Sequence, residues 1–340
     1  MSNLQSQQSS NTQFTSNLLK YFGLLTLSKH VYKNASKIIP YLLPQENVIS
    51  KLNQNYGKNS FAFITGSTDG LGKEIAKKLA QNNFNLILQG RNPEKLQRVT
   101  QEIQSQFPNI QVKQFIYDFS KKIEYESEIQ NCDEFQNLDI SILVNNVGTT
   151  DVSLIENQEP QKMESIINAN IYPALFFTKL FVKKFKQREH NSGIINISSL
   201  LGIYPIGYLN TYSASKSFVK TLGQTTQYEL NAQKIEKINI TNITPYYIST
   251  NMTNKQKLDF YTVKADDVAQ NILCLFGRKI RIATGHLNHE IYSIFMSYCP
   301  QNLLGNKMAL NMKRIADILD KKAQRRKLRD QKIINQKDKK

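Results

Sequence analysis

Between Phe61 and Ala80 the chain passes from a short apolar run through a glycine-rich turn into a helical pattern, and few folds accept that order. Phe61-Ala62-Phe63-Ile64 is apolar at four successive positions, the pattern of a strand buried on both faces in a parallel sheet. Thr65-Gly66-Ser67-Thr68-Asp69-Gly70-Leu71-Gly72 follows. Beyond it, Ile75, Ala76, Leu79 and Ala80 fall on one helical face and Lys73, Glu74, Lys77 and Lys78 on the other. In this setting glycines permit a tight turn and close backbone approach, and the helix N-terminus offers free N–H groups to a pyrophosphate. The spacing is GxxxGxG rather than the GxGxxG of the larger dinucleotide-binding group.

The alternation continues. A second strand over 85–88 runs into Gln89-Gly90-Arg91-Asn92. NAD sites place an Asp or Glu here, on the ribose 2′-OH; this chain has Arg91, as expected where a 2′-phosphate is bound, or else simply a surface arginine in a loop. A helix is predicted from Pro93 to about Gln106, then a third strand over 112–117 ending in Asp118-Phe119-Ser120. The fourth strand, 140–144, leads into Asn145-Asn146-Val147-Gly148, and one helix over 161–186 carries Asn170. A fifth strand, 193–197, ends in Ser198-Ser199; a sixth, Ile238–Ile243, ends at Pro245-Tyr246-Tyr247-Ile248-Ser249-Thr250. Strands alternating with helices predict an α/β fold with a doubly wound parallel sheet. The polar candidates follow strand C-termini, where such sheets bind ligands.

Tyr212-Ser213-Ala214-Ser215-Lys216 lies between the fifth and sixth strands. A spacing of four puts Tyr212 and Lys216 on one helical face, one turn apart. A free phenol has a pKa of about 10. A neighbouring ammonium is expected to lower it toward the range useful for general acid–base work. Alone, the pattern equally describes a half-buried tyrosine beside a solvated lysine.

With 340 residues the chain can hold one large domain with extensions at both ends. Boundaries are expected at 1–55, 56–287 and 288–340. Cys132, Cys274 and Cys299 are scattered and odd in number, which argues against a disulfide framework and for a reducing setting. His286 and His289 lack companions for a metal site. Net charge is +17; from Asn311 onward twelve Lys or Arg face four Asp, leaving +8 in the tail. Such a tail suits an anionic membrane face or plain solvent; no nucleic-acid-binding motif accompanies it. At the other end, 1–17 is polar and expected to be disordered. Apolar patches at 18–27 and 38–43 are separated by Lys29, Lys33 and Lys37, with no acid before Glu46. Both are too short to span a bilayer. They read as a basic amphipathic segment lying on a membrane, or as a helix packed on the main domain. A transit peptide is disfavoured because the stretch has no Arg.

Together these residues resemble the short-chain dehydrogenase/reductase family, from about Tyr56 to about Leu287. The resemblance rests on TGSTDGLG (65–72), Asp118, NNVG (145–148), Asn170, Ser199, YSASK (212–216) and the turn after the sixth strand. It implies the Rossmann-like fold of that family and a nicotinamide cofactor. Gly66, Gly70 and Gly72 would shape the pyrophosphate turn, with Ser67, Asp69 and Leu71 beside them. Asp118 would contact adenine, Asn146 would steady the fourth strand, and Ile248 and Thr250 would meet the carboxamide. Tyr212 would be the proton donor, with Lys216 holding the ribose and lowering the Tyr212 pKa. Ser199 would hydrogen-bond the substrate oxygen, and Asn170 would support a proton relay through water.

NNVG and Pro245-Tyr246 depart from the usual NNAG and Pro-Gly. With TGSTDGLGK, PYYIST and GHLNHEIYSIFMSYCP they resemble the microsomal branch of very-long-chain 3-oxoacyl-CoA reductases and 17β-hydroxysteroid dehydrogenases. The 148–170 segment is shorter than in that branch. The end Lys337-Asp338-Lys339-Lys340 resembles a dilysine retrieval signal with Asp338 in place of a needed lysine. The resemblance implies NADP(H)-dependent reduction of a 3-oxoacyl-CoA in fatty-acid elongation or of a keto-steroid. It implies a lipid-like substrate, residence on the cytosolic face of the endoplasmic reticulum membrane, and a homodimer as one allowed assembly. Basic charge would suit the phosphates of CoA as well as a membrane. A non-catalytic nucleotide-binding scaffold is the reading from another class, and the presence of both Tyr212 and Lys216 argues against it.

Overall fold

The computed structural model describes residues 2–121, 125, 137–253 and 256–337; Cys132 and the terminal Asp338-Lys339-Lys340 lie outside them. It divides into two compact units, Met1–Leu43 and Pro44–Lys340. The larger unit includes residues that precede Tyr56. Ile49, Leu52 and Tyr56, in short helices that open it, are buried.

Nine strands are described: β1 (Phe61–Ile64), β2 (Asn85–Gly90), β3 (Val112–Ile116), β4 (Ile140–Asn145), β5 (Ser192–Ile197), β6 (Ile238–Ile243), β7 (Tyr247–Ser249), β8 (Thr262–Lys264) and β9 (Ile282–Ala283). Seven form a parallel sheet in the order β3-β2-β1-β4-β5-β6-β9. Strand order reverses between β1 and β4, and a crevice opens at the carboxyl ends there. The inner strands β1, β2, β4, β5 and β6 are buried along their whole length, as strands covered on both faces are. β7 and β8 pair in parallel as a separate two-stranded sheet; neither they nor the two-residue β9 carries a strand signature in sequence.

One face of the sheet is covered by aromatic rings. Phe177, Phe181 and Phe185 recur every four residues on the Tyr172–Phe185 helix, and all are fully buried. Phe63 of β1 meets Phe177 edge-on at 4.9 Å, a geometry that the ring quadrupoles favour. The single helix expected over 161–186 is two, Pro160–Asn170 and Tyr172–Phe185, parted at Ile171. Pro173 has no N–H to give to Ala169, and its ring crowds that carbonyl. The break leaves Asn170 as the last residue of its helix, facing the loop after β4. By length and composition 160–185 could cross a membrane; its three buried Phe make it a core element instead.

The other covering element that matters for function is the Asn210–Ala232 helix. Its approach to the sheet is set by Gly223, where a Cβ would stand 2.1 Å from Asn242 Oδ1 and 2.4 Å from Asn196 Nδ2. Those amides form a ladder across three strands: Asn145 Nδ2 donates to Asn196 Oδ1 (2.9 Å), and Asn196 Nδ2 to Asn242 Oδ1 (3.1 Å).

In the smaller unit one helix runs Ser2–Leu42. The polar stretch expected to be disordered is its first part; no Gly or Pro precedes Gly23 to break it. Leu18, Leu19, Tyr21, Phe22, Leu24, Leu25 and Leu27 are all exposed and point to every side of the helix. The expected amphipathic stripe is therefore an apolar collar.

Candidate active site

At the carboxyl ends of β1, β2, β4, β5 and β6 lies a cleft of about 700 Å³. Its floor is the glycine turn. Gly66 has φ +66°, and a Cβ there would stand 2.9 Å from Val147 Cα. A Cβ on Gly72 would meet Asn146 Nδ2 and Gly66 O at 2.4 Å each. Asn146 stitches β4 to this turn: its N–H donates to Thr65 Oγ1 (2.9 Å), and Nδ2 donates to Thr65 O (2.9 Å) and Gly66 O (3.0 Å). Asp69 caps the Gly70–Gln81 helix, accepting from Gly70 N at 2.7 Å, and also accepts from Asn251 Nδ2. Gly70 and Leu71 line the cleft, and Thr250 packs its methyl 3.0 Å from where a Gly70 Cβ would be. Ile248, also lining the cleft, is buried.

Ser67 does not line the cleft. It is fully buried, and its N–H and hydroxyl both donate to Gln89 O at 2.9 and 3.0 Å. Its place at the floor is taken by Thr68 and Gln89. Gln89 Oε1 accepts from Gly66 N (2.8 Å) while Nε2 donates to Tyr117 O (2.7 Å). Neither was singled out in sequence; a buried Gln at the end of an apolar strand is the signal.

Arg91 and Lys95 stand exposed at the rim beside Asp118. Burial pushes the Asp118 carboxyl up. Hydrogen bonds from the Ser120 hydroxyl (2.7 Å) and N–H (3.0 Å), with the Arg91 and Lys121 charges, outweigh it and hold Asp118 below its usual range.

Tyr212 and Lys216 share one face of their helix as the spacing predicts, with Lys216 Nζ 5.9 Å from the Tyr212 ring centre. Lys216 is buried, donates to Ile197 O at 2.9 Å, and has its pKa drawn down by burial to about 8. The Tyr212 phenol is pushed up by burial, partly offset by a hydrogen bond with Ser199. The shift is thus upward rather than the lowering expected from Lys216, with desolvation of the phenolate its largest cause. Ser199 ends β5. Its hydroxyl accepts from Leu201 N (3.1 Å) and donates to Pro245 O (3.5 Å).

Asn170 is not in the main cleft. It borders a narrow space behind Lys216, with Asn145 and Val147. Its amide exchanges two bonds with Thr149, accepting from N (2.7 Å) and donating to O (3.0 Å), and donates to Ser215 Oγ (2.9 Å). It ties the loop after β4 to the Tyr212 helix.

Opposite the glycine turn the wall is apolar and aromatic: Val152, Leu209, Tyr246, Tyr247, Met312 and Ile315. The last two come from the Gln301–Lys337 helix, which sequence reading treated as a basic tail. Met308, Met312 and Ile315 recur at helical spacing, the signal that could have found them.

A family model described as short chain dehydrogenase matches residues 60–259. The chain belongs to that family. Human 17-beta-hydroxysteroid dehydrogenase type 3 is 34% identical over 245 residues, covering 71% of this chain and 75% of that one. The very-long-chain 3-oxoacyl-CoA reductase of Anas platyrhynchos is 30% identical over 271 residues, covering 78% and 84%. The chain is an oxidoreductase of the branch that holds these two relatives. Among solved structures, a short-chain dehydrogenase from Sphingobium yanoikuyae in complex with NADPH superposes with TM-score 0.59 at 21% identity, over 66% of this chain and 87% of that one. A 7beta-hydroxysteroid dehydrogenase superposes with TM-score 0.64 at 20% identity, over 76% and 98%. These share the fold.

The depressed Lys216 pKa makes a stability prediction. Its folded value of about 8 lies below the ordinary 10.5, so the buried charge destabilises the fold below about pH 8. That cost is relieved as pH rises toward 10.5. Lys216→Met is expected to unfold at a higher temperature than wild type near neutral pH, with the gap narrowing by about pH 10. Thermal unfolding at both values checks this; a gap independent of pH contradicts it.

Proposed function

We propose that this chain is an NADPH-dependent reductase of 3-oxoacyl-CoA thioesters in fatty-acid elongation. The observation that carries the reading is that Ser199, Tyr212 and Lys216 meet in one cleft, between the glycine turn and an apolar wall suited to a lipid-like chain. The reductase relatives support the substrate class. Reduction of a keto-steroid is the second reading, favoured by the 34% identity to the human steroid enzyme.

The residues fit a dinucleotide. Gly66, Gly70 and Gly72 leave the backbone open at a helix N-terminus, where a pyrophosphate is stabilised. Asp118 is ionised at the adenine side. Arg91 and Lys95 offer cations to a 2′-phosphate where an NAD site would have a carboxylate. When bound, the nicotinamide supplies the hydride for the carbonyl carbon.

The protein supplies the proton and the geometry. A phenol whose pKa is raised keeps its proton at neutral pH, so Tyr212 serves as the acid toward the carbonyl oxygen. Ser199 turns its one hydroxyl proton from Pro245 O to the same oxygen. Lys216 keeps most of its charge below about pH 8, holds the ribose, and favours loss of the Tyr212 proton. Asn170, tied to Thr149 and Ser215, braces the loop after β4 against the Tyr212 helix beside Lys216.

The membrane reading rests on the apolar collar of the first helix and on Ile291, Phe295 and Tyr298, exposed on the Leu287–Tyr298 helix. Two weak anchors suffice for stable attachment. The location is the cytosolic face of the endoplasmic reticulum.

Four outcomes are expected. Purified protein should consume NADPH with 3-oxohexadecanoyl-CoA faster than with a 17-ketosteroid. Tyr212→Phe should lower that turnover by about 10²–10⁴-fold with cofactor binding retained; turnover within about twofold of wild type would remove Tyr212 from the mechanism. kcat/KM should favour NADPH over NADH by roughly tenfold to hundredfold, from about 1.5–3 kcal/mol for a hydrogen bond to a charged group. Arg91→Ala should erode this by weakening NADPH alone; equal weakening of both cofactors would make Arg91 a loop residue. A truncation lacking residues 1–43, which leaves Ile49 and Leu52 in place, should shift the protein toward the soluble fraction, and full-length protein wholly soluble at low salt would contradict the anchor.

A further inference from the structure

His289 has no place in the proton chemistry, yet it is completely buried and both its ring nitrogens are engaged. Nδ1 lies 3.3 Å from Tyr246 N, and Nε2 lies 2.9 Å from Tyr261 O. A backbone N–H can only donate and a carbonyl can only accept. The imidazole is therefore neutral, with its proton on Nε2. Burial, which draws its pKa down to about 4, agrees with that state.

The two backbone atoms it joins have a particular relation. β7 and β8 run parallel, with Tyr247 opposite Thr262, Ile248 opposite Val263 and Ser249 opposite Lys264. Tyr246 and Tyr261 are the residues just before each strand, where the next rung of the ladder would be. His289 supplies that rung with its side chain. Its own position is held by its neighbour: Glu290 is buried, and its Oε2 accepts from Thr284 N and Oγ1 at 3.0 Å each, at the start of the same helix.

What the rung holds is the far wall of the cleft. Tyr246, Tyr247, Ile248 and Thr250 all line it. Pro245, adjacent to Tyr246, accepts at its carbonyl from Leu200 N (2.8 Å) and Ser199 Oγ (3.5 Å). The Tyr246 ring packs on Tyr247 and Tyr292 at 4.6 and 5.1 Å. A shift of Tyr246 would move the partner of Ser199 and the tyrosine wall together.

We infer that His289 is a positioning residue of the active site, a side-chain rung that closes the β7–β8 pair and fixes the Pro245–Tyr247 segment against Ser199. The inference rests on the reading of this cleft as the site of carbonyl reduction.

His289→Leu removes both bonds, His289→Asn keeps an acceptor near the place of Nδ1, and His289→Gln keeps a donor near the place of Nε2. In the full-length protein, kcat on 3-oxohexadecanoyl-CoA or a 17-ketosteroid, whichever wild type reduces, should fall by about tenfold to hundredfold in His289→Leu. His289→Asn should recover more of it than His289→Gln, because the Tyr246 bond is the one contiguous with Ser199. Amide hydrogen exchange in 245–250 and 261–264 should quicken in His289→Leu while β1, β4 and β5 stay protected. Wild-type-like exchange, exchange quickened throughout the sheet, or an Asn variant no better than the Gln variant each overturns the inference. A wild type that reduces neither carbonyl counts against the substrate reading alone, and the exchange measurement still decides whether the rung exists.

Discussion

The seating of the Asn210–Ala232 helix on the sheet rests on one buried polar interaction, the asparagine ladder Asn145–Asn196–Asn242. Amides buried without partners cost stability; here two amide–amide bonds link three strands and satisfy both ends of Asn196. The ladder leaves no room for a side chain above it, so the covering helix must present a glycine, and it presents Gly223. That contact fixes the depth of the helix. Two turns earlier, Lys216 then reaches Ile197 O at the end of β5, and Tyr212 reaches Ser199. Replacing the ladder with branched apolar residues would pack a helix well enough, but it would not set this distance.

The resulting site holds two ionisable groups whose pKa values burial moves in opposite directions, each toward its neutral form. Desolvation drives Lys216 toward its neutral amine and holds Tyr212 as its neutral phenol. In the proposed reaction, a proton donor benefits from the second effect and tolerates the first only because Lys216 remains largely charged near neutrality. The buried ammonium is thus a stability cost accepted at a functional position, while the fold is held elsewhere by Phe63, Phe177, Phe181 and their neighbours.

On the far side the site depends on elements that enter late in the chain. The tyrosine wall is carried by β7 and β8, whose three-residue strands cannot stand alone. His289 and the Leu287–Tyr298 helix lie behind them, and Met312 packs against Leu201 and Leu209 to close the cleft. The glycine turn and Tyr212 are served by short-range patterns; this wall is served by contacts between residues some forty to a hundred positions apart.

That difference explains what could be read in advance. By itself the sequence determined the parallel sheet, the glycine turn after β1, the pairing of Tyr212 with Lys216 on one helical face, and Arg91 at the end of β2. Each depends on a local period or on what a single residue can do at a strand end. Tertiary structure decided the rest. It turned Ser67 away from the cleft and toward Gln89, placed Asn170 behind Lys216, and drew Met312 and Ile315 into the cleft wall. It also reversed the expected sign of the Tyr212 shift, because spacing along a helix reports the nearness of a cation, whereas desolvation depends on everything packed around the ring.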